Sequence, residues 1–135
     1  MRRGLIIGLL AIVLVGVPQV ICADMKSDEA STSNVFSAFA DLPSKEAKAR
    51  AREMAEHDFA AGTFRVLVAG KRPYPNKYDD YLKEKYGVTA IPVAGCVVSD
   101  GLIGAIEGYN ATMKPLLNRK FGRDIFQEAQ EASQR

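Results

Sequence analysis

Residues whose types could do chemistry are few in this chain, and most fall in two short stretches. Lys71-Arg72-Pro73-Tyr74-Pro75-Asn76 sets two cations, a phenol and an amide just ahead of a predicted helix start. Backbone N–H donors and the helix dipole favour an anion at such a place. Ser99-Asp100 follows the second of two strand-like runs, so with parallel strands it emerges beside that loop. Lys71, Arg72, Tyr74, Asn76, Ser99 and Asp100 are therefore the candidate ligand-binding residues. Their chemistry suits a small anionic ligand or the carboxylate of a partner protein. No glycine-rich phosphate signature accompanies them, and two prolines beside basic residues also describe a rigid connecting turn.

Cys96, within Val93-Ala94-Gly95-Cys96-Val97-Val98, is the candidate catalytic residue. A reactive thiol needs a neighbouring cation or helix N-terminus to form thiolate. The small and β-branched neighbours of Cys96 instead describe a buried cysteine acting as a hydrophobe. His57 is the only histidine. One histidine and one distant cysteine fall short of a zinc ligand set, so no metal or cofactor is expected. A Cys96–His57 pair, or acid–base roles for Asp100, Tyr109 and His57, would need contacts that spacing does not establish. The expectation is a non-enzymatic binding or interaction protein, with a thiol-dependent redox protein or enzyme using Cys96 as the alternative. Asn110-Ala111-Thr112 matches the N-glycosylation pattern, although a helix-start Asn or Thr explains it as well.

Arg2 and Arg3, the apolar run from Gly4 to Val17, and Ile21-Cys22-Ala23 follow the order of a secretory signal peptide, so residues 1–23 are expected to be removed on export to the periplasm or extracellular space. An uncleaved signal would leave the chain anchored. Removing both arginines from the 18 basic residues leaves 16, which balances the 16 acidic ones. A neutral mature chain argues against nucleic acid and anionic membrane surfaces as partners, and a cleaved one against membrane insertion. Cys22 leaves too, so Cys96 stays as a single cysteine with no intrachain disulfide to form.

The remaining chain reads as a polar, flexible tether over 24–36 and a single small α/β domain over 37–135. Residues 35–39 suit a short strand or a docking segment. Ser44 as N-cap, with Ala47, Ala51, Met54, Ala55 and Phe59 at helical spacing, predicts a helix over 45–61. Phe64 to Gly70 reads as a strand, Asn76 to Gly87 as a capped helix, and Ile91 to Val98 as a second strand. Together they predict a parallel βαβ unit flanked by helices. Asp124 with Gln127 predicts a last helix. Residues 101–108 are ambiguous between helix and hairpin strand, since Gly101, Gly104, Gly108 and Pro115 weaken one long helix and favour a break near Tyr109.

With the hairpin, the order from residue 35 is that of the thioredoxin fold. Tyr86-Gly87-Val88-Thr89-Ala90-Ile91-Pro92 also resembles the segment by which thioredoxins enter their third strand. That resemblance implies a degenerate thioredoxin-like fold. The family's redox Cys-x-x-Cys would fall at Asp41-Leu42-Pro43-Ser44, so its chemistry would be missing.

Overall fold

The computed structural model describes residues 35–70, 72–73, 76–94 and 98–135. The cleavage region, most of the tether, Lys71, Tyr74 and Cys96 lie outside them. Val35–Ser37 is a short helical turn, and Phe36, assigned above to the tether's end, is fully buried with its ring edge-on to Tyr109. Residues 35–39 are thus a helical docking segment and not a strand.

Helix α1 (Ser44–Ala60) turns Ala47, Ala51, Ala55 and Asp58 inward. Ser44 is its first helical residue and makes no cap; Pro43 occupies the N-cap position. Strand β1 (Arg65–Ala69) and strand β2 (Thr89–Ala94) pair in parallel, Arg65 opposite Thr89 and Leu67 opposite Ile91. Helix α2 (Lys77–Tyr86) crosses between them. Its start is fixed by the Asn76 side chain, which accepts from the backbone N–H groups of Tyr78 and Asp79, and its end by Gly87, whose φ of 67° suits glycine. The architecture is α/β with the expected parallel βαβ unit.

Helix α3 (Asp100–Phe121) is continuous through the segment where a break or a hairpin was expected. The glycines are there for contact. A Cβ at Gly101 would overlap the carbonyl oxygen of Phe39, one at Gly104 that of Ser44, and one at Gly108 that of Lys48. Each glycine costs about 1 kcal/mol of helix propensity against alanine, but only glycine lets the α3 backbone lie directly on α1. Pro115 is exposed, as is Ala111 one turn earlier, so the carbonyl that loses its helical partner faces water. With 101–108 and 35–37 both helical, the thioredoxin order is not met. Helix α4 (Ile125–Ser133) closes the chain, capped by the Asp124 side chain on the N–H groups of Phe126 and Gln127.

The glycine contacts pair increasing residue numbers in both helices, so α1 and α3 run parallel. At their far end a chain of rings, Phe59, Phe64, Phe121 and Tyr86, joins the C-termini of α1, α3 and α2 beside the start of β1. The N-termini of all three helices therefore gather at the carboxyl ends of the strands, where open α/β folds receive ligands.

The outer edge of β1 is closed by Asn110 of α3, which accepts from Leu67 N–H at 2.8 Å and donates to Leu67 C=O at 2.7 Å. The outer edge of β2 is blunted differently. Thr89 N–H donates to Phe64 C=O, so by alternation Ala90 and Pro92 turn their backbone groups away from β1. Pro92 has no N–H to offer there, as befits an edge strand.

Candidate functional site

At the carboxyl end of β1 an open cleft of about 780 Å³ lies between the β1–α2 loop and the last turns of α4. Its described lining is Arg72, Pro73, Asn76, Lys77, Tyr78, Gln130 and Ser133. Two cations and four uncharged polar side chains thus face the cleft, and among the described residues no carboxylate does. Helix α4 reaches this position because it packs antiparallel on α2, with Ile125 and Ala129 buried and Glu128 bonded to Tyr81, Lys85 and Tyr86.

Arg72 is anchored to α2 twice. One guanidinium nitrogen donates to Asp79 Oδ1 at 2.6 Å, and the group lies 5.5 Å from the centre of the Tyr78 ring. Burial pushes the Asp79 carboxyl above its ordinary range, partly offset by Arg72. Burial likewise raises the Tyr78 phenol, and Arg72 pulls it back in part. The phenol is therefore a neutral hydrogen-bonding group at neutral pH. Two of the first-turn N–H groups of α2 are already taken by Asn76 Oδ1. An anion in the cleft would consequently rely on the side chains of Arg72 and Lys77 more than on the helix terminus itself.

Of the candidates named from sequence, Arg72 and Asn76 line the cleft, while Lys71 and Tyr74 lie outside the described residues. Ser99 does not line it; its Oγ accepts from Leu102 N–H as the N-cap of α3. Asp100 is an exposed first-turn acid of the same helix. Pro73, Lys77, Tyr78, Gln130 and Ser133 were not anticipated. Lys77 and Tyr78 adjoin the loop and were within reach of the reading. Gln130 and Ser133 come from a helix some fifty positions away and left no local signal.

Cys96 lies outside the described residues. The acid–base set of His57, Asp100 and Tyr109 is not assembled. His57 is exposed in the last turn of α1, Asp100 opens α3 toward the opposite end of the parallel pair, and Tyr109 is fully buried. The Tyr109 hydroxyl donates to Asp58 Oδ2 at 2.6 Å, where Arg65 also donates at 2.6 Å. This largely buried triad, with Arg65 partly exposed, ties α1, β1 and α3 together. Among the described residues no group of three or more His, Cys, Asp and Glu is placed to hold a metal ion, and no helix is long and apolar enough to cross a membrane.

No protein-family model, curated protein or solved structure matches this chain.

Proposed function

We propose that the protein is an exported, non-catalytic binding protein that holds a small anion in the cleft between the β1–α2 loop and the end of α4. The observation that carries this reading is the lining: Arg72 and Lys77, four uncharged polar side chains, and no carboxylate among the described residues. Such a cleft compensates negative charge and supplies donors to an acceptor-rich ligand, and its place at the carboxyl end of the strands is where α/β folds bind small molecules. Among the described residues no carboxylate or histidine lines it to form an acid–base pair, which favours binding over turnover.

The test is an amide NMR titration with inorganic phosphate, citrate and galacturonate. At least one probe is expected to move the resonances of Arg72, Asn76, Lys77 and Tyr78 together with Gln130 and Ser133. Arg72→Ala with Lys77→Ala should abolish the response. Failure of all three probes to shift these resonances by about 10 mM, well above the concentration at which a millimolar site fills, overturns the reading.

A further inference from the structure

We infer that Glu128 is the positioning residue of this cleft, holding α4 at the distance from α2 that lets Gln130 and Ser133 act with Arg72 and Lys77. The inference rests on the anion-cleft reading above. Glu128 Oε1 accepts from the Tyr81 hydroxyl at 2.6 Å and from the Lys85 ammonium, and Oε2 accepts from the Tyr86 hydroxyl at 2.7 Å. Arg123, just before α4, stands 3.6 Å from Oε2. One carboxylate thus gathers three donors from the last two turns of α2 and a cation from its own connection. Tyr81 and Tyr86 are themselves fixed, edge-on to each other, with Tyr86 also against Phe121.

The clasp lies below the cleft on both helices. Ser133 is about 7.5 Å further along α4 than Glu128, and Tyr78 about 4.5 Å further up α2 than Tyr81. Ala129 is the last buried residue of α4, and in the turn that carries Gln130 and Ser133 only half-buried Ala132 is apolar. The position of that turn follows from the clasp one turn earlier. Glu128 does not line the cleft, and its effect on a ligand is exerted through the α4 wall.

The test compares Glu128→Ala with the wild type by citrate titration and by amide hydrogen exchange. The substitution is expected to weaken binding roughly ten-fold and to remove the response at Gln130 and Ser133 while that at Arg72 and Lys77 persists. Exchange over 130–133 should accelerate. Glu128→Gln, which keeps an acceptor for the phenols, should fall between the two. Should Glu128→Ala fail to fold, Tyr81→Phe with Tyr86→Phe keeps both rings, removes two of the donors and is read the same way. An unchanged footprint at Gln130 and Ser133 with unchanged exchange overturns the inference. If the wild type binds no probe, the anion reading falls on its own, and exchange over 130–133 alone decides the clasp: faster supports it, unchanged overturns it.

Discussion

Asn110 bonds to both backbone polar groups of Leu67, donating at 2.7 Å to its carbonyl and accepting at 2.8 Å from its N–H. A single amide on a helix thereby does for β1 what a third strand would do, in a sheet of two strands. The cost of leaving both Leu67 groups unpaired predicts that Asn110→Ala destabilises the fold by about 2–4 kcal/mol. Asn110→Asp retains the acceptor but sets an anionic oxygen against the Leu67 carbonyl, and should be at least as damaging. Chemical denaturation of the two variants checks this. The same bonds bear on the Asn110-Ala111-Thr112 pattern: the nitrogen a glycan would take is committed to the sheet, so folded protein expressed in a eukaryotic secretory pathway should carry no glycan at Asn110 by mass spectrometry.

The α1–α3 seam gives a sharper result, since nothing in it can yield except backbone. Gly108→Ala, which would raise helix propensity at an exposed site, should here destabilise by about 2–3 kcal/mol. In a domain of this size that lowers Tm by roughly 10–20 °C. Ala111→Gly, on the exposed face of the same helix, should cost only about 1 kcal/mol, the ordinary propensity difference. Equal losses for the two would show that the seam is looser than described.

Asp58 is the buried charged residue among the described residues, and its two partners are unequal. Tyr109→Phe removes a hydroxyl and leaves Arg65 in place, at an expected cost of about 1–2 kcal/mol. Arg65→Met leaves the carboxylate without its counter-ion and should cost about 3–5 kcal/mol. A double-mutant cycle measures the coupling, and near-zero coupling would mean that the three groups do not act as one network.

Two pH limbs follow from the ion pairs and phenols. Burial, with the Asp58 carboxylate beside it, raises the Tyr109 phenol above its ordinary value. The neutral phenol is therefore favoured in the fold, so its contribution is complete below about pH 10 and is lost as pH rises beyond that. Ultraviolet titration should show Tyr109 ionising only as the protein unfolds. On the acid side, bonds from Lys85, Tyr81 and Tyr86 hold the Glu128 carboxyl down to about 2. Its contribution is present above the ordinary glutamate value near ~4.3 and disappears as pH falls from there through the depressed one. Protection of the α4 amides, taken relative to intrinsic exchange at each pH, should fall across that acid range before that of the α1–α3 seam.

Much of the secondary structure was legible because its signals are local. Asn76 and Asp124 cap the helices they were expected to start, Gly87 closes α2, and the Phe64–Gly70 run became β1 with one residue trimmed at each end. The illegible parts all depend on what lies opposite. Gly101, Gly104 and Gly108 read as helix breakers until another backbone is seen against them, and Phe36 read as part of a polar tether until its pocket beside Tyr109 existed. Pro115 is tolerated only because its side of α3 faces water. In the cleft, Arg72 and Asn76 were legible from the loop and its cap, whereas the α4 wall was set by contacts between distant segments.

The glycine seam also governs when this chain can fold. Lys48 meets Glu107 across 59 positions, Asp58 meets Tyr109 across 51, and Leu67 meets Asn110 across 43. These contacts reward the chain only after a large loop has closed, which slows folding relative to a bundle built from neighbours. During synthesis the alanine face of α1 has nothing to lie on until α3 has been made. The central seam is therefore among the last parts of the fold to form, after the whole βαβ unit has been synthesised.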